Sequence, residues 1–272
     1  MADNGSPAER GQPIIRLRGI RNAFGRQVVH DKLDLDVRRG EIIALVGGSG
    51  TGKSVLLRTI VGLNRPAAGS IEVFGKQILG MPAVERRKVE QRWGILFQNG
   101  ALFSSLTVAQ NIQVPLKEHL GLKGPILDEI AALKIALAGL PPEAGDKYPS
   151  ELSGGMKKRA GLARALALDP EIVFLDEPTA GLDPIGAAAF DQLIADLRDS
   201  IGFTVFLVTH DLDTLATVCD RIAVLGEKRV MVVGTMEEML QQTHPWIVEY
   251  FHGPRGRAAL DAKARNEARL EG

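Results

Sequence analysis

Hydrophobic residues recur in three different rhythms along this chain. The first segment alternates with period two: IIRLRGI (14–20) and LDLDV (33–37) place apolar residues on one face only, which predicts half-buried strands. Arg38-Arg39-Gly40 makes a turn between LDLDV and the next segment. EIIALVG (41–47) is a continuous apolar run, the pattern of a strand covered on both faces of a parallel sheet. A glycine-rich loop follows, and KSVLLRTIVGL then reads as a helix. SIEVFG (70–75) returns to period two and predicts the closing strand of a small antiparallel layer.

From about 104 to 167 the rhythm becomes helical. LTVAQNIQVPL and LDEIAALKIALAGL predict helices, with Leu127, Ile130, Leu133, Leu137 and Leu140 at three- or four-residue steps. Apolar strand runs resume with EIVFLD (171–176), FTVFLVTH (203–210), RIAVLG (221–226) and RVMVVG (229–234). The helical stretch PIGAAAFDQLIADLRDS separates the first two. Strands alternating with helices predict an α/β fold with right-handed crossovers and a parallel sheet, interrupted by a helical insertion. Thr235-Met236-Glu237-Glu238 has the spacing of a capping box and predicts a helix start. Residues 1–13, rich in Pro, Gly and charge, read as a disordered arm, and the charged, Ala-rich 254–272 as a solvated tail or lone helix.

Composition narrows the function classes. Hydrophobic residues make up 45% and charged residues 24%, as in an ordinary globular protein. Lys plus Arg and Asp plus Glu are 33 each, so the balance is neutral and argues against a nucleic-acid binder. The single cysteine, Cys219, reads as a small buried hydrophobe and suits a reducing compartment. No apolar run reaches the roughly 18 residues needed to cross a bilayer, and MADNGSPAERGQP lacks the apolar core of a secretory signal. The expected location is cytoplasmic, at a membrane only through a partner.

Two motifs carry chemistry. Gly47-Gly48-Ser49-Gly50-Thr51-Gly52-Lys53-Ser54 satisfies the phosphate-loop pattern G-x-x-x-x-G-K-[ST]. Its glycines let backbone N–H groups turn toward phosphate oxygens, and the following helix directs its positive end there. Lys53 can bridge β- and γ-phosphates, and the Ser54 hydroxyl can ligate Mg²⁺. Ile172–Glu177 buries a strand that ends in two acids: Asp176 suits the Mg²⁺ shell and Glu177 the polarisation of an attacking water. Gln98 and His210 stand at the ends of apolar runs and would pass unnoticed without these neighbours.

The order of the pieces resembles the ATP-binding cassette ATPases: phosphate loop, Gln98, LSGG (152–155), LDEPTAGLDP (175–184), His210, spanning Ile14 to Gly253. The resemblance implies a RecA-like P-loop core with a mixed or parallel sheet (about 14–98 and 168–240), an N-terminal antiparallel β layer and an inserted α-helical subdomain (about 99–167). It also implies ATP and Mg²⁺ as ligands and a dimer of two copies that sandwiches ATP. Ser153, Gly154 and Gly155 would contact the γ-phosphate held by the other copy. Gln98 would sense Mg²⁺ and couple to the transport subunit, Asp183 would lie at the dimer interface, and His210 would hold the γ-phosphate side of the transition state. Phe24 occupies the position of an adenine-stacking aromatic.

Finer letters are similar to the ATPases of Mla- and Mce-type lipid transporters: Gly48 where many relatives have Pro, LFQNGALFSSLTVAQNIQVPLKEH, Met156 in place of Gln, PTAGLDPI and YFHGPRG. That similarity implies a permease pair in the inner membrane, an MCE-domain lipid-binding protein, a small STAS-domain regulator, and contacts made by the segment from Trp246 onward. Import of an amino acid or other small solute is the competing transport reading. A non-transport cassette protein and a catalytically dead module fit less well, given one P-loop, one LSGG and both Glu177 and His210. Met156 cannot replace an amide's hydrogen bonds and is expected to pack at an interface, while Lys157, Lys158 and Arg159 read as a solvated face.

Overall fold

The computed structural model describes residues 11–98 and 100–253, so the arm over residues 1–10 and the tail over 254–272 lie outside the described residues. The chain runs β1 (Pro13–Phe24), β2 (Gln27–Arg38), β3 (Ile42–Val46), α1 (Lys53–Ile60), β4 (Ala68–Val73), β5 (Lys76–Gln77), α2 (Ala83–Glu90) and β6 (Trp93–Leu96). It continues through α3 (Val108–Leu120), α4 (Ile126–Leu137), α5 (Gly154–Ala165), β7 (Ile172–Asp176), α6 (Pro184–Ile201) and β8 (Thr204–Val208). The last elements are α7 (Leu212–Thr217), β9 (Arg221–Gly226), β10 (Arg229–Gly234), α8 (Met236–Leu240) and α9 (Pro245–His252). Residues 11–80 and 206–253 form one compact unit and residues 81–205 another, the chain passing between them within β8.

In the first of these units β1 pairs antiparallel with both β2 and β4, and Leu17 lies opposite Leu35 and Ile71. All three are buried, so the alternation in the sequence becomes one apolar face of an antiparallel layer. Pro13, counted with the arm in the sequence, opens β1. β3 is buried at every position and pairs parallel with β9, which pairs antiparallel with β10. Glu227 and Lys228 close that hairpin with φ of 47° and 64°, the left-handed pair of a tight turn. At the foot of β3 the Arg221 guanidinium reaches both carboxylate oxygens of buried Glu41, at 3.1 and 3.2 Å. Burial raises the Glu41 pKa, and the hydrogen bond from Arg38 N and the Arg221 charge oppose that rise. The capping box at Thr235 forms as its spacing predicts, with Glu238 N donating to Thr235 Oγ1 and Thr235 N to Glu238 Oε2. Cys219 is half-buried rather than buried, and its S–H donates to the Thr214 carbonyl within α7 at 3.6 Å.

In the second unit β6 and β7 pair parallel, with Leu96 opposite Leu175. Trp93 and Phe174 meet edge to face at 5.8 Å. The helices α3, α4 and α5 enclose a core that includes Val108, Ile112, Leu127, Ile135, Leu152 and Ala163. α4 buries Leu127, Ala131, Lys134 and Ile135; of the expected stripe Leu127 and Leu140 join the core, Ile130 packs against it, Leu137 is half-buried and Leu133 alone is exposed. Lys134 is buried along its stem while its ammonium pairs with Asp169. Asn111, fully buried, donates to the carbonyls of Phe103, Leu106 and Thr107 and accepts from Phe103 N, which fixes the loop leading into α3.

One buried network bears on stability. Asn22 Nδ2 meets His30 Nδ1 at 2.9 Å, and the Thr59 hydroxyl donates to Asn22 Oδ1 at 3.3 Å, tying β1, β2 and α1 together. His30 is fully buried; its Nε2 lies toward the Thr51 backbone but outside hydrogen-bond geometry. Burial lowers its pKa to about 4, and the Thr51 backbone only partly offsets this. Because the folded state binds the proton less well than the unfolded chain, stability is full above pH 6.5 and declines as pH falls toward 4. Thermal melting between pH 7 and pH 4.5 is expected to show a loss that His30→Leu makes shallower; an equal slope in both proteins would remove His30 from this role.

Candidate nucleotide site

The phosphate loop grows out of β3. A strand buried at all five positions must end before a polar loop can begin, and it ends at Gly47. A Cβ at Gly47 would strike the Leu225 carbonyl on β9, and one at Gly52, where φ is 98°, would strike Val29 and His30 on β2. The loop is thus wrapped too closely against β2 and β9 for any larger residue at these two points. Gly52 is also the N-cap of α1 and brings no side-chain cap, and the first turn of α1 holds no acid. A helix start of this kind presents its N–H groups to an anion. Lys53 Nζ reaches back over the loop to the carbonyls of Gly47 and Gly48 at 2.8 and 3.1 Å. Ser49 and Gly50 are exposed, Thr51 folds its hydroxyl onto Gly48 O at 2.9 Å, and Ser54 begins the helix beside Lys53. Phe24, at the end of β1, is 52% exposed and offers its ring to solvent.

The second unit assembles Gln98, Asp176, Glu177 and the LSGG segment. Leu96 and Leu175 are register partners, so Gln98 and Glu177 each stand two residues beyond the same rung of a parallel pair. Asp176 is buried at the end of β7, and Glu177 turns away from it with φ of 50°, a left-handed conformation for a residue with a side chain. α5 lies so close on β6 that a Cβ at Gly94 would hit the Ala165 carbonyl, and one at Gly161 would hit Leu96. That approach delivers Lys158 to the strand ends. Its Nζ donates to the backbone carbonyl of Gln98 and, at 3.0 Å, to that of Glu177. Lys158 is 7% exposed, and burial lowers its pKa against the opposing charges of Glu177 and Asp176. The solvated face expected of Lys157–Arg159 is therefore corrected at Lys158. Its signal was present: Lys158, Gly161, Leu162 and Ala165 follow helical spacing and are all buried.

Ser153 caps α5, its hydroxyl oxygen accepting from Met156 N at 3.3 Å, so the hydroxyl hydrogen points elsewhere. Ser153 and Gly154 are exposed, and the Cβ position of Gly155 lies 3.8 Å from Leu182, next to Asp183. Asp183 caps α6 through Gly186 N at 2.9 Å. The Met156 side chain packs against the helical core of its own chain, and only its N–H serves the LSGG turn. In the first unit His210 is exposed beyond the fully buried β8, and its carbonyl accepts from the Tyr250 hydroxyl at 3.0 Å. Motif reading gave Trp246, Tyr250 and His30 no role at the nucleotide site; each is separated in sequence from the segment it lies beside.

A buried strand, a phosphate loop wrapped against its neighbours and an uncapped helix start define a P-loop nucleoside triphosphatase. The ABC transporter family profile matches residues 30–180. A probable ribonucleotide transport ATP-binding protein, mkl, of Mycobacterium leprae is 41% identical over 243 residues, covering 89% of this chain and 69% of that protein. The intermembrane phospholipid transport system ATP-binding protein MlaF of Haemophilus influenzae is 36% identical over 242 residues, 89% of this chain and 91% of that one. Among solved structures, an ATP-binding cassette dimer in a post-hydrolysis state with ADP and Pi superimposes with a TM-score of 0.74 at 28% identity, over 81% of this chain and 98% of that one. The cbiO1 subunit of a Clostridium perfringens ABC transporter complex gives 0.76 at 26% identity, over 95% and 98%. The chain belongs to the ABC transporter family, as an ATP-binding, ATP-hydrolysing subunit. Among the described residues no helix is long and apolar enough to cross a membrane.

Lys158→Met keeps the length of the side chain and removes both hydrogen bonds without leaving a buried charge. Losing the two donors is expected to lower the turnover number for ATP about tenfold, on the order of one neutral to charged hydrogen bond, with a small change in melting temperature. Steady-state hydrolysis checks this; turnover equal to the parent would show that the two carbonyls need no such tie.

Proposed function

We propose that this chain is the ATPase subunit of a transporter that moves phospholipid between membranes. The observation that carries the reading is the 36% identity with MlaF of Haemophilus influenzae over 91% of that protein's length. Within it, Lys53 and the loop N–H groups from Gly48 to Ser54 would hold the phosphates, and Phe24 would stack on the base. The donor set suits Mg²⁺, which takes few protein ligands beside phosphates and water: a hydroxyl from Ser54, one carboxylate from Asp176 and the amide of Gln98. Mg²⁺ there would neutralise charge that develops on the phosphates. Glu177 would polarise the attacking water, and its left-handed backbone, tied through Lys158, sets the direction of its carboxylate. His210 would donate to the γ-phosphate side of the transition state.

Two copies would sandwich ATP, with Ser153, Gly154 and Gly155 of one facing the phosphate loop of the other and Asp183 at the seam. The exposure of Ser153 and Gly154, the acid-free first turn of α5 and the Ser153 hydroxyl left able to donate support this. The remaining partners would be a permease pair, an MCE-domain lipid-binding protein and a STAS-domain regulator, holding the chain at the cytoplasmic face of the inner membrane. The helical subdomain at about 99–167 would meet the permease. A ribonucleotide cargo is the second reading, favoured by the name of the mkl relatives. Purifying the chain with its membrane partners and identifying the bound small molecules by mass spectrometry separates the two: phospholipid is expected, and enrichment of nucleotides alone in the membrane subunits would overturn the reading.

Glu177→Gln keeps the binding groups and removes the base. Hydrolysis is expected to fall by about a hundredfold or more, while ATP drives the variant into a dimer detectable by light scattering. Near-parent turnover would take Glu177 out of this role.

A further inference from the structure

α9 carries two aromatic faces. Ile247 and Phe251, four residues apart, are each 1% exposed and anchor the helix in its unit. Trp246 and Tyr250, also four apart, occupy the adjacent face, half-buried, with rings stacked at 4.8 Å and 15°. Pro245 at the first turn presets the helix just before this pair. The two rings lead to two different parts of the nucleotide machinery. Trp246 backs the phosphate loop: its Nε1 lies 3.6 Å from the Cβ position of Gly48. Tyr250 donates its hydroxyl to the carbonyl of His210 at 3.0 Å. The next residue is held as well, since Asp211 N donates to the Thr209 hydroxyl at 3.1 Å. The main chain on which the exposed His210 imidazole rides is thus fixed from α9 on one side and from Thr209 on the other.

We propose that Trp246 and Tyr250 are positioning residues of the ATP site, a stacked strut that sets the phosphate loop at Gly48 and the switch residue His210 from one helix. The inference rests on the reading of His210 and the loop as parts of that site. Neither ring needs to touch nucleotide. A displacement of α9 would reach both elements together, because the two rings are stacked, Tyr250 is bonded to the His210 carbonyl and Trp246 lies beside Gly48. Gly48 is part of the arrangement: a Cβ there would stand in van der Waals contact with the indole Nε1, at 3.6 Å.

The test compares Tyr250→Phe, Trp246→Phe and His210→Ala in the full chain, with steady-state ATP hydrolysis, melting temperature and tryptophan emission as readouts. Tyr250→Phe keeps the stack and loses one neutral hydrogen bond; kcat is expected to drop about fivefold, with KM for ATP moving less than about twofold. Trp246→Phe shrinks the ring behind the loop and should raise KM severalfold. Trp246 is one of two tryptophans, so ATP addition to the parent should change its emission. Trp246→Phe should lose that change while still binding trinitrophenyl-ATP. The proposal is overturned if both aromatic variants keep kcat and KM within about twofold of the parent while His210→Ala is inactive. Normal turnover in His210→Ala would instead sink the reading of His210 itself. If Tyr250→Phe melts well below the parent, Trp246→Phe with its emission signal decides the matter alone.

Discussion

A strand covered on both faces must satisfy internally any polar group it carries, so ligand-facing residues gather where it emerges, and that constraint decides where the chemistry of this protein sits. β3, β7 and β8 are each five residues long and buried at nearly every position. The polar residues proposed for the nucleotide site come at or just beyond their C-terminal ends: the phosphate loop from Gly47, buried Asp176 with half-buried Glu177, and His210. Ligands of open α/β sheets bind at such ends for this reason. The two features that sequence spacing cannot supply are the direction in which each polar residue leaves its strand and the stiffness with which it is held.

Direction and stiffness come from groups that are themselves removed from water. Lys158 reaches two carbonyls that lie two residues past one rung of β6 and β7, so a single ammonium sets both strand exits. Burial lowers its pKa, the mark of an ammonium that solvates backbone instead of facing water. Under the phosphate loop, His30 stays neutral for the same physical reason and fills the space that a side chain at Gly52 would need. Both devices fix a loop in advance of ligand, which is the condition for electrostatic catalysis without reorganisation.

Much of this was legible in the sequence. Continuous apolar runs marked β3, β7 and β8, alternation marked the antiparallel layer, and Thr235 with Glu238 marked the start of α8. The phosphate loop, the paired acids and LSGG were legible because glycines and charges in fixed order are rare by chance. What resisted reading was tertiary. Lys158 looks like a surface cation until α5 is seen to sit on β6 at Gly94 and Gly161. Leu133 follows the helical spacing yet is exposed, while its neighbour Lys134 is buried and pairs with Asp169. Met156 packs, half-buried, against the core of its own helices, and its backbone N–H donates to the Ser153 cap, neither of which the letters alone reveal. Trp246 and Tyr250 touch elements about 200 and 40 residues away, a distance no periodicity reports.

In the proposed dimer, phosphate would be read by two elements in two copies, the loop of one chain and the LSGG turn of the other. Mixing two inactive variants tests it most directly. Lys53→Ala spoils the loop, and Gly154→Glu places a negative charge at the turn, at a position where a side chain meets nothing within 4 Å. Each alone should be nearly inactive in ATP hydrolysis. In a mixed dimer both lesions fall in one composite site and the other site is intact, so mixing should restore turnover well above either parent variant. A mixture no more active than its components would contradict the account.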